Sequence, residues 1–221
     1  MVDNNMDEQT CQPPQLPSLH NLNQQDMKHL EPFIVLAMDH DRCAERITAK
    51  NLLTYPVYLA VFDGLVAQLI SYQVNKIILV SYSNRQTDTL NQLWTGKVTS
   101  LAHLETFGTL LQKAIENTGY RIKVEVQPKY FADDMYAEFT TRDQLSEFTN
   151  IDRKKMLQDR IVEKYPRALR FLFVDDKAEH LPFYRPTDRS PGDERLDGVQ
   201  FAPGLWPTAG KLNKLHVTSY D

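Results

Sequence analysis

The sequence predicts an α/β fold, a mainly parallel sheet with helices on both faces and no large cap domain. Three observations carry that expectation. Continuous apolar runs at 33–38, 77–80 and 171–174 have the character of strands covered on both faces. Segments with helical periodicity lie between the runs, the alternation that builds a parallel sheet. Each run also gives way abruptly to polar residues, as strands do where they open onto a ligand crevice.

The elements follow in order. Residues 1–30 are rich in Asn, Gln, Asp and Pro and poor in large apolar side chains, so they read as a weakly ordered tail with at most a short helix at 26–30. The ordered domain is expected over 31–221. The run at 33–38 follows Pro32 and is the first strand. Residues 56–72 form a helix on the spacing of Tyr58, Phe62, Leu65, Leu69 and Tyr72, with Pro56 suited to its first turn. The run at 77–80 is the second strand. Leu101, Leu104, Leu111 and Ile115 mark one face of a helix within 98–117, and Gly119 leads into 121–127. There Ile122, Val124 and Val126 alternate with polar residues, which predicts a strand at or near an edge. A helix at 152–165 is apolar at Met156, Leu157, Ile161 and Val162 and stops at Pro166. After the run at 171–174, five prolines between 182 and 207 predict an irregular crossing, and 215–220 reads as a last strand.

Bulk properties bound the function. The chain has 221 residues, 42% hydrophobic and 24% charged, with a net charge of -4, which suits one globular domain and gives no general pull toward nucleic acid. No apolar stretch approaches the roughly 18 residues that span a bilayer. The N-terminus lacks the basic and apolar regions of a secretory leader. Cys11 in the tail and Cys43 are not placed to form a stabilising disulfide, and the expected compartment is reducing and cytoplasmic.

Chemistry gathers where the strands end. Asp39-His40-Asp41-Arg42 follows the first run, Ser81-Tyr82-Ser83-Asn84-Arg85 the second, and Asp175-Asp176-Lys177 the third. In a parallel sheet these share one edge, so four carboxylates and a hydroxyl converge. Carboxylates packed this closely raise one another's pKa unless a cation joins them. Hard oxygen donors without a Cys or His cluster favour Mg²⁺ over zinc. A Lys near the start of the helix before the third strand would offset charge on a bound anion; Lys155 is preferred over Lys154 because apolar Met156 follows it.

In content and order these residues resemble the haloacid dehalogenase (HAD) superfamily: Asp39 with Asp41, then Ser83, then Lys155, then Asp175 with Asp176. The resemblance covers about 33–221 and implies a Rossmann-like core. It implies that Asp39 is a nucleophile forming an aspartyl-phosphate and Asp41 a general acid and base. Ser83 and Lys155 would hold phosphoryl oxygens, and Asp39, Asp41 (through its backbone carbonyl), Asp175 and Asp176 would hold Mg²⁺. The implied activity is that of a Mg²⁺-dependent phosphatase or phosphotransferase acting on a phosphorylated small molecule or macromolecule. Ser81 competes with Ser83, which is preferred because Ser-Asn is the more familiar family ending. Cys43, where the family favours a small or β-branched residue, is a mild departure.

Most of the interval between the first two runs is spent on the helix at 56–72, which leaves no room there for a large cap. The segment 130–150, with Asp133, Asp134, Tyr136 and Glu138, and the segment 182–207 remain as lids. More narrowly, Ser83-Asn84-Arg85-Gln86, 152–156 and 174–177 resemble HAD-like proteins of intracellular bacterial pathogens, some exported into host cells. That implies an alternative, a catalytically weak binding module that engages a host protein. A signalling receiver domain also uses an acidic pair, Ser/Thr and Lys, but in another order. His40 is expected to pack or point away from the site, and Glu179 and His180 to lie at the surface.

Overall fold

The computed structural model describes residues 31–40, 42–84, 102–127, 131–139, 144, 146–182 and 195–201. Asp41, Arg85, Gln86, the tail and the strand expected at 215–220 lie outside them. Five strands form one all-parallel sheet: β1 (Glu31–Met38), β2 (Lys76–Ser81), β3 (Lys123–Val126), β4 (Ala168–Asp175) and β5 (Leu196–Gln200), in the order β3-β2-β1-β4-β5. β1 is central, with Met38 level with Ser81 of β2 on one side and Val174 of β4 on the other. The chain runs outward from β1 to β2 and β3, then crosses back to β4. The reversal of strand order therefore falls between β1 and β4, where open parallel sheets leave a crevice beyond their carboxyl ends.

Helices cover both faces. Between β1 and β2 lie a 3-10 turn (Ala44–Arg46), α1 (Ala49–Thr54) and α2 (Pro56–Ser71). α3 (Ala102–Asn117) precedes β3, and α4 (Phe131–Tyr136) and α5 (Asn150–Lys164) precede β4. The strand side chains alternate between two cores. Ile34, Leu36, Met38, Ile77, Leu79, Leu172 and Val174 pack with α1, α2 and α3. Val35, Ala37, Ile78, Val80, Phe171 and Phe173 pack with α4 and α5. Double-sided burial is why these strands read as continuous apolar runs.

Local chemistry sets the ends. Pro56 opens α2, where its missing N–H costs nothing. Thr149 and Asp152 form a capping box at α5, each side chain accepting the other's backbone N–H, at 3.2 and 2.9 Å. Gly119 follows α3 with φ +84°, a left-handed position suited to glycine after a helix. β3 lies at an edge, as its alternation predicts.

The crossing expected over 182–207 needs correction, because it contains β5. Pairing outweighs the proline-rich surroundings there. The Phe171 N–H donates to the Arg195 carbonyl at 2.8 Å, and the Arg195 guanidinium donates to the Pro166 and Ala168 carbonyls. Buried Arg170 of β4 meets Asp197 of β5 at 2.9 Å, and the Tyr72 hydroxyl donates to the same carboxylate at 3.1 Å. α4 is no free lid either: Phe131, Ala132, Met135 and Tyr136 are buried in the second core. No cap domain occurs among the described residues, and among them no helix is long and apolar enough to cross a membrane.

Candidate active site

The sheet ladder extends one residue past the strand ends: the Asp39 N–H donates to the Val174 carbonyl at 2.9 Å and the Tyr82 N–H to the Met38 carbonyl at 2.8 Å. Asp39, Tyr82 and Asp175 are thereby held side by side at the carboxyl edge. Asp39 and Asp175 are buried. Carboxylate oxygens of Asp39, Asp175 and Asp176 lie within 4.8 Å of one another, close enough to share one cation. Three of the four residues expected to bind the metal are thus brought together. The fourth, Asp41, is outside the described residues.

The cation of the site is Lys154, which corrects the expectation of Lys155. Lys154 is 2% exposed, and its Nζ lies 2.8 Å from Asp39 Oδ1, 2.8 Å from Asp175 Oδ2 and 2.5 Å from the Tyr82 carbonyl. The reason is helical phase. α5 buries Lys154, Leu157, Gln158 and Ile161, the i, i+3, i+4, i+7 row facing the sheet. Lys155 is rotated about 100° from that row and is half-buried. Met156, which favoured Lys155 in the sequence, lies off the row and is only partly buried.

Burial alone would lower the Lys154 pKa, but Asp39 and Asp175 outweigh it and hold the ammonium well above its usual range. Burial likewise pushes Asp175 up. Lys154, with hydrogen bonds from His180, Lys154 and the Lys177 N–H, reverses that and holds Asp175 at about 2. Asp176 differs. Burial and the neighbouring Asp175 raise its pKa, and its ion pair with exposed Arg42, at 3.4 Å, is too long and too wet to offset them.

These contacts divide the acidic pair. Asp175 Oδ1 accepts from the Lys177 N–H at 2.9 Å and meets His180 Nδ1 at 3.0 Å, while Oδ2 meets Lys154. It is a holder of the lysine. Asp176, half-buried and poorly compensated, has the chemistry of a cation ligand. His180, expected at the surface, is buried against Asp175.

Ser83 is 2% exposed two residues beyond β2, and its N–H donates to Ser81 Oγ at 3.3 Å, so both candidate serines are at this edge. The Tyr136 hydroxyl donates to the Asn84 carbonyl at 2.6 Å and so fixes the residue next to Ser83. Cys43 is fully buried below the site; burial first, then Asp39, Asp175 and Asp176, pushes its thiol up, which makes it a packing residue rather than a nucleophile. Buried His40 lies next to Asp39, and its carbonyl accepts the Glu45 N–H. Arg42 has φ 60°, a left-handed conformation that is costly for a non-glycine residue and occurs here beside the carboxylates.

Sequence reasoning missed Tyr82 and Gln158. Gln158 Nε2 donates to the Tyr82 hydroxyl at 2.6 Å and to the His180 carbonyl at 3.0 Å. Gln158 is a polar residue on the buried row of α5, a signal that was available in the helical spacing. The chain matches no family model, no curated protein and no solved structure.

Proposed function

We propose that the chain is a Mg²⁺-dependent phosphatase or phosphotransferase of the HAD type, working through an aspartyl-phosphate on Asp39. One observation carries the reading: a fully buried ammonium, Lys154, touches both Asp39 and Asp175 while Asp176 lies within reach of a shared cation. A solvated turn has no use for that arrangement, and a site that must hold a carboxylate ionised against a phosphate does.

The hard oxygen donors fit Mg²⁺, and Asp39 and Asp176, with the Asp41 carbonyl, would hold it. When bound, the ion neutralises charge on the phosphoryl oxygens. Lys154 keeps Asp39 company as a fixed counter-charge and directs Oδ1. The other Asp39 oxygen attacks phosphorus, and the bond from phosphorus to the leaving-group oxygen breaks. Asp41, two residues along, gives that oxygen its proton, help typically worth about 10²–10⁴-fold. Asp41 then takes a proton from the water, or from the acceptor alcohol, that releases phosphate from Asp39. Ser83 is the hydroxyl at the same edge suited to a phosphoryl oxygen. The absence of a cap among the described residues suits a bulky phosphate ester.

The test is hydrolysis of p-nitrophenyl phosphate and a panel of phosphate esters with and without Mg²⁺, in wild type and Asp39→Asn. Mg²⁺-dependent turnover that disappears in the variant is expected. Turnover that survives the substitution contradicts the nucleophile assignment. Mg²⁺ binding with no turnover on any ester favours the binding module.

A further inference from the structure

Lys154 Nζ donates to Asp39 Oδ1 and to the Tyr82 carbonyl, and it is ion-paired with Asp175 Oδ2 at 2.8 Å. Tyr82 contributes twice, because its ring centroid lies 4.1 Å from the same nitrogen. The ring is itself held. Its hydroxyl donates to the His180 carbonyl at 2.6 Å and accepts from Gln158 Nε2 at 2.6 Å, and its edge meets Phe173 with centroids 5.1 Å apart. Tyr82, Gln158, Lys154 and His180 are all buried; Tyr82 directly follows β2, Lys154 and Gln158 lie on α5, and His180 ends the 3-10 turn after β4 (Ala178–His180). The same turn carries the His180 ring that meets Asp175.

We propose that Tyr82 is a positioning residue. Its hydroxyl, locked to Gln158 and the His180 carbonyl, fixes the ring and carbonyl that place the Lys154 ammonium between Asp39 and Asp175. Hydrophobic packing alone would favour phenylalanine here; burying a hydroxyl costs desolvation, which its two short hydrogen bonds offset, and what those bonds join is the lysine's support. The inference takes its rate consequence from the phosphoryl-transfer reading, but the placement of the lysine stands without it. Small misplacements of a reacting group cost up to about a hundredfold in rate.

The experiment compares wild type, Tyr82→Phe and Gln158→Met, each shown to be folded by thermal unfolding. The Lys154 ammonium is followed by ¹⁵N NMR, assigned by its loss in Lys154→Arg, alongside kcat and KM for p-nitrophenyl phosphate. In wild type the signal is expected to be protected from exchange and displaced by the Tyr82 ring. Either variant is expected to move or broaden it and to lower kcat about tenfold or more, with KM within about twofold. An unchanged Lys154 signal in both folded variants overturns the proposal whatever the rate does. A raised KM at unchanged kcat overturns it too. If wild type shows no Asp39-dependent turnover, the phosphoryl-transfer reading fails, and the NMR comparison alone decides the positioning role.

Discussion

Lys154 keeps its charge in a place where burial alone would remove it, and the two carboxylates that keep it charged depend on it in turn. Removing one partner of such a group leaves the others stranded. Lys154→Met is therefore expected to destabilise the fold at pH 7 by about 3–5 kcal/mol, read by chemical denaturation. The deficit should shrink toward pH 4, as Asp39 and Asp175 take up protons once the ammonium is gone. In the wild-type protein the Asp175 pKa is lowered from 3.8 to about 2. Its contribution is thus complete above 3.8 and lost as pH falls toward 2. A Lys154→Met deficit that does not vary with pH would contradict this electrostatic coupling. At this scale the sequence was legible in part. Asp39, Ser83, Asp175 and Asp176 could be read because each follows an apolar run, and that position alone puts it at the strand edge. Lys154 could be found from the row 154, 157, 158, 161, but a neighbouring methionine pointed to the wrong phase. Tyr82 and His180 were hidden because their partners are far away in the chain and only folding brings them together.

Among the elements, α2 and α3 make claims of their own. Asp63 is a half-buried acid on α2, and burial raises its pKa from 3.8 to about 6. A raised pKa means that the folded state favours the neutral form, so stability is greatest below 3.8 and declines as pH rises through 6. Asp63→Asn should raise Tm at pH 7 and flatten the dependence of Tm on pH between 4 and 7; an unchanged slope would show that Asp63 is not its source. In α3, a Cβ on Gly108 would sit 2.5 Å from Val126 Cγ2 and 3.3 Å from Leu79 Cδ2. The glycine lets the helix close onto edge strand β3. Gly108→Ala should cost about 1–3 kcal/mol despite the better helix propensity of alanine. In a Val126→Ala background the same change should be neutral or stabilising, and equal costs in both backgrounds would contradict the contact. The strands β1, β2 and β4 were legible because burial on both faces leaves an unbroken apolar signature. β5 was not: Leu196, Asp197, Gly198, Val199 and Gln200 are all half-buried, and the strand is held by Arg170, Arg195 and backbone pairing that no local pattern announces.

For the whole molecule, a parallel sheet with its reversal between β1 and β4 sets the ends of those strands side by side, and the first and last motifs of the chain meet there. A cation bound at that junction joins two halves of the sheet, so Mg²⁺ should stabilise the fold. Ligand at a hundredfold excess over Kd adds about 2.7 kcal/mol. Calorimetry is expected to show Tm rising with Mg²⁺ in wild type and far less in Asp176→Asn; an equal rise in both would remove Asp176 from the site. In the proposed reaction Asp39 carries phosphate covalently. This is tested most directly by acid-quenching the protein during turnover with Mg²⁺ and locating the modification by peptide mass spectrometry. A hydroxylamine-labile phosphate is expected on the peptide that contains Asp39, absent in Asp39→Asn. Turnover with the phosphate on another residue, or with no labelled protein under conditions that trap acyl-phosphates, would contradict it.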